Sequence, residues 1–359
     1  MSIKKIAQLS GSSPATVSRI LNNPNYKCST PGLREKVWKV AMELNYTPNE
    51  AARSLKKGCS KNKLDTYSVD ILMTRMEGAN SDPFFAELLH CVESQIHAHS
   101  CILSSLWYKS LFSDDKKCEQ TKLEPIIKEM IDTSNSNGKN GLLIIGKCNS
   151  KVIQILKKYY KHIVSINRNS TNYEVDEVIC DGKKIAAMAV NYLVSLGHTR
   201  IAYVGRCSGE SRYQGYKEVF HNNSMDFYDE YIMDIEQTEK QGFQTMKKLM
   251  QLDIPPTAIY CANDITAIGM IKCLNQYNSS LYTPSIISSD DIEEAQNTTP
   301  MLTTVKLPKE HMAKFAVYLL LDRMKSGHNE VVRIELEGKL MIRNSCRPAD
   351  ETKREEYYI

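Results

Sequence analysis

The chain has 359 residues, 42% of them hydrophobic and 25% charged, with a net charge of +4. That is the make-up of folded globular protein, too long for one small domain, and it excludes a disordered or collagen-like chain. The longest apolar runs, such as 141–146 (GLLIIG), are far too short to span a bilayer, and the first residues lack the apolar core of a secretion signal. The charge is unevenly spread, with residues 1–63 carrying +9 and the remainder −5. A basic N-terminal segment on a mildly acidic body suits a phosphate-binding module attached to something else.

In chain order, Ile3, Ile6 and Ala7 give the spacing of a first helix, and Gly11 ends it where positive φ is cheap. Ser13 has the chemistry of an N-cap and Pro14 that of a first helical position, while Val17, Ile20 and Leu21 resume the apolar face. Ala15, Thr16, Ser18, Arg19 and Asn22 then point outward. Two short helices with such an outer face read as a helix-turn-helix, whose second helix fits the DNA major groove. A third helix follows Thr30-Pro31, with Val37, Val40, Ala41 and Leu44 on its packed face. Asn49 can cap a short helix over 50–57, and 58–65 is a polar, basic linker.

Beyond the linker, strand-like runs at 67–73, 101–107, 141–146, 162–167, 177–181, 200–205, 231–234, 258–263, 285–289 and 333–338 alternate with helical stretches. The helices are expected at 84–98, 119–131, 150–160, 183–196, 212–222, 238–251, 264–277 and 309–325. Such alternation implies parallel sheets covered on both faces. Ten strands suit two Rossmann-like lobes, with a ligand cleft between their strand ends.

Enzyme and metal chemistry find little support. The glycines of 141–148 have phosphate-loop spacing, but the interior is Leu-Leu-Ile-Ile and Cys148 replaces the magnesium-binding hydroxyl. Asp290 and Asp291 are adjacent on a strand end and face different ways, and His97 and His99 fall on different sides of a helix. Eleven cysteines without a C-x-x-C fit a reducing cytoplasm. The reading is a cytoplasmic protein that is no enzyme and needs no metal or cofactor.

One set of residues carries a family resemblance. Ile6-Ala7, Gly11, Ser13, the run Thr16-Val17-Ser18-Arg19, Leu21-Asn22, Leu44-Asn45-Tyr46, Pro48-Asn49 and 51–55 (AARSL) form an ordered pattern. It is followed by DPFFAEL at 82–88, LGHTRIAYVG at 196–205, RYQGY at 212–216, AND-x-x-AIG at 262–269, Asp290-Asp291 and PMLTTVKLP at 300–308. The chain resembles the lactose-repressor/galactose-repressor (LacI/GalR) family of bacterial regulators. Ser10 and Ser12 stand where the family usually has alanine and valine, which predicts looser packing at the turn. Ser288-Ser289 replaces the usual Gly-Phe.

The resemblance implies an all-α helix-turn-helix headpiece followed by an α/β two-lobed, periplasmic-binding-protein-like (Rossmann-like) body. Expected boundaries are 1–46 for the headpiece, 47–65 for hinge helix and linker, 66–350 for the effector-binding and dimerisation domain, and 351–359 for a charged tail. Implied DNA contacts are Ser13, Pro14, Ala15, Thr16, Ser18, Arg19, Asn22 and Tyr26 on the headpiece. On the hinge they are Asn49, Ala52 and the minor-groove wedge Leu55. Implied effector contacts are Phe84, Phe85, Asn167, Arg168, Arg212, Asn263 and Asp290. That set suits a neutral polyol, with a guanidinium for vicinal hydroxyls and aromatic faces for a sugar's C–H side. The expected function is a sugar-responsive repressor of a carbohydrate-utilisation operon, the sugar possibly a galactoside. It would act as a homodimer on double-stranded operator DNA, without a membrane. The alternatives are a catabolite-control-type regulator that answers to a partner protein, or a purine- or nucleoside-responsive repressor.

Overall fold

In the computed structural model of the chain, residues 3–22, 26, 30, 32–43, 67–77, 82–133, 140–277 and 282–351 are described. Two compact units emerge, Met1–Asp65 and Thr66–Ile359.

In the first unit, α1 (Ile3–Ser10), α2 (Pro14–Asn22) and α3 (Leu33–Glu43) bury Ile6, Ala7, Val17, Ile20 and Val37 against one another. Tyr26, Leu33 and Val40 close the rim of this small core. The turn after α1 forms as its glycine requires, with Gly11 at φ +68° and the Ser12 amide donating to the Ala7 carbonyl. Ser10 is buried, and its hydroxyl lies 3.3 Å from the Ala7 carbonyl and 2.9 Å from the Ser12 hydroxyl. The two serines expected to loosen the turn instead satisfy one another. The segment at 44–66, with Asn49, Ala52 and Leu55, lies outside the described residues.

The second unit holds two six-stranded sheets. Lobe one contains β1 (Ser68–Met73), β2 (Ile102–Tyr108), β3 (Gly141–Ile145), β4 (Ile163–Asn167), β5 (Asp176–Ile179) and β11 (Arg333–Glu335), in the order β2-β1-β3-β4-β5-β11, all parallel. Lobe two contains β6 (Ile201–Gly205), β7 (Ile232–Asp234), β8 (Ala258–Cys261), β9 (Ser285–Asp290), β10 (Thr303–Lys306) and β12 (Lys339–Met341), in the order β7-β6-β8-β9-β10-β12. Among them only β10 and β12 pair antiparallel. Each sheet reverses its strand order beside its first strand, the place where doubly wound sheets open a crevice.

Strands buried on both faces read as unbroken apolar runs. In lobe one the period of two divides them cleanly. Val69, Ile71, Leu143 and Ile145 enter one core, and Leu72, Leu142 and Ile144 enter the other. Helix α4 (Pro83–Ala98) is capped by Asp82, whose carboxylate accepts from the Phe84 and Phe85 amides. Helices α5 (Asp115–Gln120) and α6 (Leu123–Asp132) occupy the stretch read as one helix, which extended backbone at Thr121 and Lys122 divides. Helix α7 (Ser150–Leu156) precedes β4, and α8 (Gly182–Ser195), α9 (Ser211–Asn222), α10 (Glu239–Met250) and α11 (Asp264–Gln276) serve lobe two. The chain crosses between lobes after β5, again after β10 and again after β11, and α12 (Lys309–Met324) packs on lobe one.

Candidate functional site

Two places gather the residues singled out by sequence. The first is the outer face of α2. Val17 and Ile20 are buried, which turns Pro14, Ala15 and Arg19 to solvent and leaves Thr16 half-buried. Ser13 caps the helix, its hydroxyl accepting from the Thr16 amide at 3.0 Å and lying 2.8 Å from the Thr16 hydroxyl. Tyr26 is partly buried against the headpiece core, and its carbonyl accepts from Arg34 at 2.6 Å. Its ring therefore has a packing role whatever else it touches. The side chains of Ser18 and Asn22 lie outside the described residues.

The second place is the crevice between the lobes of the body. Arg168, just past β4 of lobe one, reaches Asp290 at the end of β9 of lobe two at 2.5 Å. Its guanidinium lies 4.4 Å from the centre of the Phe84 ring and 5.4 Å from that of Phe85. Those rings meet edge to face at 5.1 Å and are buried, so they serve the core and the crevice together. Asn167 is turned to its own chain, accepting from the Arg168 amide and donating to the Asn169 carbonyl.

Arg212 is 1% exposed. It donates to the Glu210 carboxylate at 3.0 Å, to the Ala262 carbonyl, and to Gln237 at 3.5 Å. Asn263 caps α11 through the Thr266 amide, and its amide group donates to the Gln237 carbonyl at 3.4 Å. Arg212 and Asn263 thus meet at Gln237, while Arg168, Asp290, Phe84 and Phe85 form a second knot. The free space beside Phe84, Phe85 and Arg168 is only about 10 Å³, no more than one water requires. A larger cavity of about 130 Å³ opens at the mouth of the crevice, between Arg75 and Lys147 on one lobe and Arg206 and Glu210 on the other.

Arg75, Glu210 and Gln237 are absent from the sequence-derived set. Arg75 donates to Glu210 across the lobes at 3.1 Å, so one carboxylate serves two guanidiniums. Arg75 and Gln237 sit just past the ends of β1 and β7, where a crevice at a reversal of strand order collects side chains. That position rule was the available signal.

Electrostatics follow from burial. Desolvation pushes the Asp290 carboxyl up to about 7; Arg168 pulls it down, while Asp264 adds to the rise. Burial also acts to raise Glu210, but Arg212 and Arg75 outweigh it and hold its carboxyl well below the usual range. Asp264 is raised by burial, although the Ser288 and Thr304 hydroxyls each donate to it at 2.6 Å. Ser289 lies 3.1 Å from the Tyr260 hydroxyl. Both members of the Ser288-Ser289 departure therefore have buried partners. Asp290 and Asp291 take φ of +140° and +51°, costly for residues with a Cβ. The turn is held by the Asp264 carboxylate on the Ile292 amide at 3.0 Å and by Arg343 on Asp291 at 2.6 Å.

Comparison with known proteins agrees with this division. Residues 2–49 match the family model described as bacterial regulatory proteins, lacI family, and residues 190–346 match that of the periplasmic binding protein-like domain. The HTH-type transcriptional repressor PurR of Mannheimia succiniciproducens is 26% identical over 96% of this chain and 98% of its own length. The ribose operon repressor of Escherichia coli is 26% identical over 96% and 99%. Among solved structures, the transcriptional regulator CelR–cellobiose complex superposes with a TM-score of 0.66 at 21% identity, covering 96% of this chain and all of that one. A lacI-type headpiece joined to a periplasmic-binding-like body makes this chain a DNA-binding transcription regulator that belongs to the lacI family of bacterial regulatory proteins.

Proposed function

We propose that the chain is a homodimeric, cytoplasmic repressor of a carbohydrate-utilisation operon, controlled by a sugar or glycoside held between the two lobes of its body. The observation that carries the effector half is the convergence of Arg168, Asp290, Arg212 and the Phe84 ring at the strand ends of two separate sheets. Hydrogen-bonding groups from both lobes discriminate strongly between polyols, because a missing hydroxyl leaves a buried partner unpaired. The ribose operon repressor and the CelR–cellobiose complex among similar proteins support a sugar as ligand.

On DNA, Pro14, Ala15 and Arg19 lie nearest base edges, where alanine meets a thymine methyl and arginine bridges the guanine acceptors. Ser13, Thr16, Ser18, Asn22 and Tyr26 set position on phosphates. Asn49, Ala52 and Leu55, which lie outside the described residues, contact the minor groove, with Leu55 prying open a base step. Effector in the crevice shifts the lobes and weakens the paired hinges, through a coupling of about 1–3 kcal/mol.

The experiment is selection of duplexes from a random pool by the full chain, followed by measurement of the winning sequence against Arg19→Ala. A pseudo-palindrome with a base preference that Arg19→Ala relaxes supports the reading. Enrichment of no sequence refutes it. The latched Arg168–Asp290 pair, with so little space beside it, favours one second reading, a body governed by a partner protein. Arg212→Ala would then leave regulation intact.

A further inference from the structure

This inference rests on the reading of the crevice as an effector site and narrows the chemistry of its ligand. Five charged side chains, largely removed from water, run from the crevice mouth inward: Arg75 and Glu210, then Arg212, Arg168 and Asp290. Three guanidiniums thus face two carboxylates. Each guanidinium has a carboxylate within reach, but Arg75 and Arg212 share one, Glu210, while the Asp264 and Asp115 carboxyls act on the cluster from its two sides. Burial pushes the Arg75 guanidinium below its ordinary value and Arg212, Arg168 and Arg206 push it further, while Glu210, which it contacts at 3.1 Å, pulls it back.

Like Glu210, Arg75 also reaches open space. It lines the cavity of about 130 Å³ at the crevice mouth, and Arg206 and Lys147 line the same cavity. Lys147 is held by Asp115 at 2.6 Å and Arg206 by Glu236 at 2.9 Å, pairs with at least one partner well exposed and so readily exchanged for a ligand. Four carboxylates, Asp114, Asp115, Glu210 and Asp234, line the same walls and can accept from ligand hydroxyls. Such a lining fits a molecule with hydroxyls on one side and an anion on the other.

We propose that the effector is an acidic sugar, a polyhydroxylated ring carrying one carboxylate or phosphate, whose anionic group docks on Arg75 in the cavity at the crevice mouth with Arg206 across from it. A guanidinium takes either anion through paired N–H donors, so the cavity chemistry is shared by uronates and sugar phosphates. The neutral polyol expected from sequence came from residues that the lobes largely consume in pairing with one another.

The test is calorimetric titration of the full chain with six probes: galacturonate, glucuronate, galactose 6-phosphate, glucose 6-phosphate, and neutral galactose and glucose. The expected result is that at least one acid binds roughly tenfold or more tightly than its neutral parent. That gap shrinks as salt rises from about 50 to about 300 mM. The uronate and phosphate arms identify which anion is taken. Arg75→Gln closes the gap, and Arg206→Gln, at a more exposed position, narrows it and guards against an Arg75 variant that fails to fold. A neutral parent that binds as tightly as its acids, or a gap that survives both variants, overturns the acidity while leaving the sugar reading in place. Absence of saturable binding by all six overturns both.

Discussion

Replacing Asp290 with asparagine should stabilise this protein at neutral and alkaline pH, although it removes an ion pair. The Asp290 carboxyl is buried, and its midpoint rises from the ordinary 3.8 to about 7 despite the neighbouring Arg168. A shift of that size makes ionisation costlier in the folded chain by about 4 kcal/mol, at about 1.4 kcal/mol for each tenfold change in proton affinity. The sign follows from the direction of the shift. A raised carboxyl contributes stability that is complete below its unfolded value and lost as the pH climbs through its folded value, here between about 4 and about 7. Asparagine stays neutral throughout and keeps the shape of the side chain. Urea unfolding of Asp290→Asn and the parent, followed by circular dichroism, should agree within about 1 kcal/mol near pH 4, and the variant should gain up to about 4 kcal/mol near pH 8. The Arg168 guanidinium left behind keeps a neutral amide as acceptor and the Phe84 ring beside it, which limits the usual cost of removing one partner of a buried pair. A variant less stable than its parent by the same margin at both pH values would refute this reasoning.

Other outcomes follow from the remaining sites. Arg19→Ala should weaken operator binding by about 1–3 kcal/mol and flatten the preference at one base position, read by fluorescence anisotropy on operator variants. In the headpiece, Ser10→Ala with Ser12→Val replaces a mutually satisfied pair by apolar groups and should be neutral or stabilising by up to about 1 kcal/mol, whereas Ser12→Val alone leaves the buried Ser10 with fewer partners and should destabilise. Arg323 grips the buried Asp176 through two bonds of 2.5 and 2.6 Å, and His328 adds a third at 2.9 Å. Arg323→Gln should cost about 3–5 kcal/mol at neutral pH. Burial acts to raise Asp176, but Arg323, the Val332 amide and His328 outweigh it and lower it. Its contribution is therefore lost as pH falls through the folded value, and the parent and variant curves should converge in acid.

The alternation of strands and helices was legible because parallel strands buried on both faces are written as uninterrupted apolar runs, and 141–145 or 201–205 admit little else. Two strands escaped. Thr303–Lys306 and Lys339–Met341 are short and mix polar with apolar residues, and their strand character comes from neighbours in the sheet rather than from composition. The α5–α6 break was written at Pro125, which can neither bond to nor clear a helical carbonyl at Thr121, four residues back, and so falls in the first turn of a new helix. Ser10 and Ser12 read as a loss of packing, and Ser288-Ser289 as a bare departure from the family pattern, since a hydroxyl's partner is invisible until the chain folds. Three of the four have theirs in the core, and Ser12 faces the buried Ser10. Arg168 and Asp290 were both named from family resemblance, yet as ligand contacts rather than as partners. Their pairing spans 122 residues, and that of Arg75 with Glu210 spans 135, distances at which sequence spacing carries no information.

The central claim is that occupancy of the interlobe crevice decides whether the headpiece stays on DNA. It is tested most directly by titrating the sugar panel into a preformed complex of the full chain with its selected operator, followed by fluorescence anisotropy. The account predicts that one sugar shifts operator affinity by about 5- to 150-fold, and that Arg212→Ala abolishes the shift. An operator complex that no panel member disturbs, or one disturbed equally in Arg212→Ala, would contradict it.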